Sequence, residues 1–356
     1  MIKINTIELQ NFRCFTKNNY SFGDKINILV GDNAVGKTSI VEAIALLSTC
    51  RSFRTSSDRD MIKNDAPNYY VEYYIEKEEL KDKVSIAFDG KTRKIVVNGK
   101  QMKSSSDFVG KYKVITFSPN DIRLVIGEPK IRRKFLDTNI SIFDCQYFNN
   151  LLVYNKILKE RNEILKKDKE EIDRTLLKIY TDKLIECGKI IIEGRNKFIN
   201  NINNLINEKT NILSNYSDNC DIKYIPNTLV SSYEKDMINS IEKDIILKTT
   251  TVGVHRDDFI ININGDLAHT HGSQGQIKTI ALSIKLCCVD IIRKVTEDIF
   301  IVLDDVFGEL DENRQNQILK LLINDKQMFI TTTSINGIDK KILDNSNILN
   351  INNIGR

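Results

Sequence analysis

Eight consecutive residues, Gly31-Asp32-Asn33-Ala34-Val35-Gly36-Lys37-Thr38, fit the pattern G-x-x-x-x-G-K-[ST]. The chemistry this spacing serves is the capture of a nucleotide phosphate. Glycines let backbone N–H groups close around phosphate oxygens. Lys37 would neutralise the β- and γ-phosphates, the Thr38 hydroxyl would hold Mg²⁺, and Ser39 extends the site by one residue. Near the other end of the chain, Asp304-Asp305 follows an apolar run. Acid at a strand end is where a nucleotide-bound metal needs help: Asp304 would orient the metal shell, and Asp305 would take a proton from an attacking water or position it. Read without the glycine loop, two acids after a strand are turn or cap residues.

Two further segments have chemistry in reach. Gly272-Ser273-Gln274-Gly275-Gln276 opens a helical pattern, with Ser273 as an N-cap and Gln276 three residues on as a capping box. The same residues suit a second phosphate site, in which the Ser273 hydroxyl, the Gly275 backbone and the helix N-terminus face a γ-phosphate. Gly308-Glu309-Leu310-Asp311-Glu312 is a polar turn, with Glu309 and Asp311 able to cross a dimer seam.

Positioning these groups takes particular elements. Ile26 to Val30 is a short apolar run that reads as a buried strand, and Thr38 to Leu47 holds helix formers without Gly or Pro. Strand, glycine loop and helix is the order a phosphate site requires. Lys3 to Leu9 alternates as a strand, and Tyr20 to Phe22 is expected to pair with it. Asn98-Gly99 and Asn264-Gly265 mark hairpins. Asp298 to Leu303 and Met328 to Thr331 read as buried parallel strands, with a helix from Asn313 to Ile323 between them. From about Lys130 to Lys209 the pattern is helical and highly charged, as in a short antiparallel arm. Asn211 to Asn227 reads as an irregular connection, Tyr233 to Leu247 as a further helix and Gln274 to Arg293 as a long amphipathic one. The expected fold is therefore α/β: one lobe with a mixed sheet and flanking helices from residues 1–128 and 248–356, and a mostly helical insertion from 129–247.

Composition narrows the class. The 356 residues are 41% hydrophobic and 28% charged, values of a water-soluble globular chain long enough for a sizeable core. No apolar run approaches the ~18 residues that span a bilayer, and the alternating N-terminus lacks a signal-peptide stretch, so a cytoplasmic location without membrane attachment is expected. Seven scattered cysteines without C-x-x-C argue against zinc or a disulfide framework. A net charge of +4 permits nucleic-acid binding without requiring it.

Together the motifs resemble ATP-binding-cassette ATPases of the SMC type, and within them the RecF family of bacterial recombination and repair proteins. The resemblance is carried by Ser52-Phe53-Arg54-Thr55, by Phe117-Ser118-Pro119-Asn120-Asp121 with Gly127-Glu128-Pro129 and Arg132-Arg133-Lys134-Phe135-Leu136-Asp137, by Tyr154 with Arg161-Asn162, and by Gly253-Val254-His255-Arg256-Asp257-Asp258. Ser273 to Gln276 and Asp304 to Asp311 complete it, so that it covers nearly the whole chain. Val254 stands where such proteins often carry Pro, and Lys278 where Arg is usual. The resemblance implies ATP and Mg²⁺ as cofactors and an ATP-dependent homodimer in which Ser273 to Gln276 of one subunit closes over the nucleotide of the other. It further implies binding to duplex DNA at single-strand gaps, partners RecO and RecR, and a nucleoid-associated cytoplasmic location. Asp305 in place of a longer Glu implies slow, DNA-stimulated hydrolysis, with ATP acting mainly as a dimerisation switch. Thr332 occupies the position where cassette transporters carry a γ-phosphate-sensing His.

Other residues admit more than one reading. Arg132, Arg133 and Lys134 suit either DNA backbone or a charged helix face. Arg13 suits a phosphate contact or the surface. His269 and His271 lack a third metal ligand. The alternative function is the energy-coupling ATPase subunit of a transporter, against which the helical insertion with Arg161-Asn162 speaks.

Overall fold

Four apolar runs with little or no alternation become neighbouring parallel strands. In the computed structural model, which describes residues 2–215, 217–322 and 327–352 and only the backbone of Glu309, the strands Ile26–Val30, Lys113–Phe117, Ile299–Asp304 and Gln327–Thr332 join Ser346–Asn350 in one sheet. The order across it is 346–350, 26–30, 327–332, 299–304, 113–117, and every pairing is parallel. Ile299–Asp304 and Gln327–Thr332 are buried at all six positions, which is why neither reads as an alternating strand.

The second sheet of this unit is six-stranded and antiparallel, ordered 15–21, 2–12, 69–77, 80–88, 93–97, 100–101. Its alternating strands present Ile4, Ile7, Leu9, Val71, Tyr73, Val84 and Ile86 to the core. Helix Lys37–Thr49 shares that core with Val114, Val302 and Phe329 of the parallel sheet, and the Tyr73 hydroxyl donates to its Ala43 carbonyl at 2.6 Å. The glycine loop is thereby anchored at both ends by buried structure. The ladder with strand 15–21 stops at Thr6, beside a bulge between Ile4 and Thr6, and the Ile4 N–H and C=O lie beyond it. The buried Gln327 carboxamide takes both, accepting from Ile4 N at 2.7 Å and donating to Ile4 O at 2.9 Å.

The chain divides into Met1–Asp121 with Leu282–Arg356, and Ile122–Ala281. The expected boundaries at 128/129 and 247/248 thus fall at 121/122 and 281/282. The reason lies in the stretch read as an irregular connection: Cys220–Ile225 is a strand that pairs antiparallel with Asp258–Ile263, which draws the residues after 248 into the second unit. That unit also holds helices Pro129–Ser141, Cys145–Leu165 and Arg174–Leu213. The last two pack together, with Asp144 and Asp173 capping their first turns. Tyr233 to Leu247 is two helices, Tyr233–Asn239 and Ile241–Leu247, that meet at Ser240. Gln274–Arg293 has the bounds expected, and the helix expected from Asn313 runs Glu312–Leu322, Ile323 lying outside the described residues. Among the described residues no helix is long and apolar enough to cross a membrane.

Candidate nucleotide-phosphate site

Close packing explains why the loop needs its glycines. Gly36 has φ +106°, and a Cβ there would lie 2.5 Å from Phe15 and 2.9 Å from the Cys14 sulfur. A Cβ on Gly31 would lie 2.3 Å from the Ile351 carbonyl. Asp32, Asn33 and Ala34 are exposed, Ala34 in the left-handed region, while Val35 is buried against the core. The Lys37 ammonium donates to Gly31 O and Asp32 O, each at 2.7 Å. Two of its three donors are thus spent on the loop, and one remains for an anionic oxygen. Burial lowers the Lys37 pKa, against the pull of Asp305, Asp32 and Asp304. Ser39 is buried in the first turn, its N–H on Gly36 O at 2.9 Å.

Strand Ile299–Asp304 delivers Asp304 to the start of the same helix. The Thr38 hydroxyl donates to Asp304 Oδ1 at 2.9 Å, and the Thr331 hydroxyl donates to the same oxygen at 2.8 Å. Burial pushes the Asp304 pKa up, while the Thr331 and Thr38 hydrogen bonds and the Arg54 charge pull it down. Thr38 and Asp304 are hard oxygen donors, and their separation is close to the ~3 Å between adjacent ligands of an octahedral Mg²⁺. The residues therefore fit that ion. Asp305 is exposed, sits at φ +53° and is fixed by its N–H on Thr331 Oγ1 at 2.9 Å. A left-handed non-glycine residue at this point is a local strain of the kind concentrated at functional sites.

Two polar ties behind the site are not visible in the sequence. Thr331 organises both acids, yet it reads there as one more strand residue. Glu42 lies one helical turn beyond Thr38 and is 0% exposed. Its carboxylate takes a two-point contact from Arg13 (Nε at 2.8 Å, Nη2 at 2.5 Å), a hydrogen bond from the Ser52 hydroxyl and a 3.3 Å contact from Arg54. Ser52 Oγ in turn accepts from the N–H groups of Arg54 and Thr55. Arg13 and Ser52-Phe53-Arg54-Thr55 are therefore tied to the phosphate-loop helix by one buried acid, which no spacing rule would single out.

Several expected residues serve local structure. The Thr332 hydroxyl donates to Ser334 O at 2.8 Å, within the turn that follows its strand. Asp311 caps helix Glu312–Leu322, accepting from Arg314 N at 3.0 Å, and the Glu309 side chain lies outside the described residues. His269 and His271 are exposed, and no group of three metal-ligating side chains occurs among the described residues.

In the second unit, Ser273, Gln274 and Gly275 are exposed at the helix start. The capping box is formed: Ser273 N donates to Gln276 Oε1 at 2.9 Å, and Gln276 N to Ser273 Oγ at 3.3 Å. Arg132 binds Asp258 through two nitrogens, at 2.6 and 2.8 Å, and Gly127 O at 2.7 Å. Arg133 donates to Asp257 O at 2.8 Å, and Lys134 is exposed. The first two cations are spent inside the unit, a use invisible without the Asp258 strand beside them.

Residues 3–347 match the family model described as RecF/RecN/SMC N terminal domain. The chain is 36% identical over 357 residues to the DNA replication and repair protein RecF of Lachnospira eligens, across 99% of this chain and 96% of that one. The chain belongs to the RecF family. RecF of Oceanobacillus iheyensis is 35% identical over 361 residues, 98% of each chain. A solved structure of the recombination mediator protein RecF with ATP, in the RecFOR pathway, superposes with a TM-score of 0.88 at 36% identity, covering 95% of this chain and 94% of that one. The Smc head domain of Pyrococcus furiosus shares the fold at a TM-score of 0.54 and 16% identity, over 97% of this chain and 92% of that one. The RecF fold is thus the α/β head of SMC-like, ABC-type ATPases, here with separate parallel and antiparallel sheets and flanking helices.

Proposed function

We propose that this RecF-family chain is an ATP-dependent DNA-binding protein of recombinational repair and replication, working as an ATP-induced dimer. The observation that carries the reading is the Thr38–Asp304 contact at 2.9 Å, which unites glycine loop and acid strand across 266 positions. Family membership, with a relative solved bound to ATP, supports it.

In this reading Gly31 to Ser39 bind the phosphates, and Lys37 places its remaining donor on the β- and γ-oxygens. Thr38 and Asp304 hold Mg²⁺, which when bound neutralises phosphate charge. Asp305 orients a water and accepts its proton, slowly. Ser273 to Gln276 of a second copy close over the γ-phosphate, with Glu309 and Asp311 at the seam and Thr332 near the nucleotide. The dimer clamps duplex DNA through its phosphates at a single-strand gap. RecO and RecR are the partners expected for recombinase loading, in the nucleoid-associated cytoplasm. ATP acts as a switch whose binding energy goes into dimer geometry.

Lys37→Met tests the assignment. Light scattering with ATP should show the wild-type chain dimerising and the variant remaining monomeric. A variant that dimerises like the wild type would mean that the loop is not the nucleotide site.

A further inference from the structure

Gln276 of the capping box has a second tie, and it leads out of the motif. Its Nε2 donates to Asp218 Oδ1 at 2.8 Å, across 58 positions. Asp218 is 7% exposed. The same oxygen accepts from Asn264 Nδ2 at 3.1 Å. Asn264, at the tip of the Asn264-Gly265 hairpin, is locked to the loop that carries Asp218. Its N–H donates to Asn219 O, and its side-chain oxygen accepts from Asn219 N, both at 2.8 Å. Asp218 N donates to Ser214 Oγ at 3.2 Å. Asp218 is therefore held from three sides and has little freedom to follow Gln276 if that side chain moves.

The chemistry of an amide makes this tie directional. A carboxamide has a donor end and an acceptor end of nearly the same shape, and its environment decides which points where. An ionised carboxylate accepts only. Asp218 therefore compels the NH₂ of Gln276 to face it, which turns Oε1 onto the Ser273 N–H at 2.9 Å. The flipped amide would set a donor against the Ser273 donor and an oxygen against the carboxylate, two unfavourable contacts in place of two hydrogen bonds. Ser273, Gln274 and Gly275 stay exposed, and a Cβ at Gly275 would meet nothing within 4 Å. The face of the helix start that an anion would approach is left open while its far side is fixed.

We propose that Asp218 is a positioning residue for the Ser273–Gln276 segment, setting the Gln276 amide so that the helix start is preorganised to receive the γ-phosphate of a second copy. This rests on the trans-site reading above. Asp218 touches no nucleotide in it, and its effect is on assembly.

Sedimentation equilibrium of the full chain with ATP and Mg²⁺, beside ATP titration of the monomer, tests it. Asp218→Ala should weaken ATP-dependent self-association about tenfold, the worth of one charge-assisted hydrogen bond, with monomer ATP affinity unchanged. Asp218→Asn retains an acceptor oxygen and should stay within about twofold of the wild type. Gln276→Glu, on an exposed helix start, preserves the capping box but sets a carboxylate against Asp218, and should lose association. Q276E combined with D218N should regain part of it, because the carboxylate–carboxylate repulsion is gone, although the amide introduced at position 218, turned towards the carboxylate at 276, would face the Asn264 Nδ2 donor. Asp218→Ala associating like the wild type, or the double variant remaining as weak as Q276E, overturns the proposal. Equal losses of association and of monomer ATP affinity in D218A overturn it also. A wild-type chain that binds ATP yet stays monomeric overturns the trans-site reading itself, before any variant is compared.

Discussion

The Thr38 hydroxyl donates to the Asp304 carboxylate at 2.9 Å, from the first turn of one helix to the last residue of a strand 266 positions away. Two parallel pairings make this meeting possible. Ile28 lies beside Ile330, and Ile330 beside Leu303, so that the ends of strands 26–30 and 299–304 emerge on the same edge of the sheet. Both then open on the same point, where open α/β sheets place their ligands.

Burial opposes a charge on Asp304 and raises its pKa. Asp304→Asn removes the charge and retains an oxygen for the Thr38 and Thr331 hydroxyls. It should therefore raise stability to urea by about 1 kcal/mol, as relief of a destabilised functional site does. It should also abolish the Mg²⁺ dependence of ATP binding. Equilibrium denaturation and ATP titration with and without Mg²⁺ measure the two effects.

Glu42 is expected to behave in the opposite way. Its carboxylate is fully buried and compensates Arg13 and Arg54. Glu42→Gln leaves the Arg13 guanidinium short of its anion and should cost about 3 kcal/mol, the usual result of breaking one side of a buried ion pair. Urea midpoints at pH 7 give the number. A loss below ~1 kcal/mol would place Arg13 mainly in solvent.

How much of this could be read beforehand depended on distance along the chain. Gly31 to Thr38 and the hairpins at Asn98-Gly99 and Asn264-Gly265 are local patterns, legible because backbone conformation alone demands those residue types. Helix Gln274–Arg293 was legible from its one apolar face. Strand Cys220–Ile225 does carry a period-two signal, with Cys220, Ile222 and Tyr224 buried between exposed Asp221 and Lys223, but it is only six residues long and its partner strand begins 33 residues after its end. Glu42, Asp218, Thr331 and Gln327 were missed for one reason. Each is a polar residue whose worth lies in a partner that only folding brings near, as Gln327 meets Ile4 across 323 positions.

His255 supplies a pH signature. Its Nε2 faces the Thr250 carbonyl at 3.0 Å, which can only accept, so Nε2 carries the proton and Nδ1 accepts from the Tyr154 hydroxyl at 2.9 Å. Burial lowers its pKa from 6.5 to about 4. Between those values the unfolded chain binds a proton that the folded chain refuses. Stability is therefore fully present above pH 6.5 and is lost as pH falls towards 4, by roughly 3 kcal/mol from this group. His255→Gln should flatten that part of the stability–pH curve. An equally steep curve in the variant would assign the loss to other groups.

Arg132 should matter for folding. Arg132→Ala breaks a two-point contact with Asp258 and a bond to Gly127 O, and should cost about 2 kcal/mol. A lysine or arginine on a DNA phosphate would on removal reduce the salt slope of duplex binding by about one. For Arg132→Ala that slope should stay at the wild-type value, measured by titrating labelled duplex over a range of salt.

The central claim is that ATP joins two copies into a DNA-responsive clamp. It is tested most directly by sedimentation velocity combined with phosphate release, with ATP and Mg²⁺, in the presence and absence of gapped duplex DNA. The expected result is a monomer without nucleotide, a dimer with ATP, and slow hydrolysis that gapped DNA accelerates. A chain that stays monomeric with ATP, or whose hydrolysis ignores DNA, would contradict it.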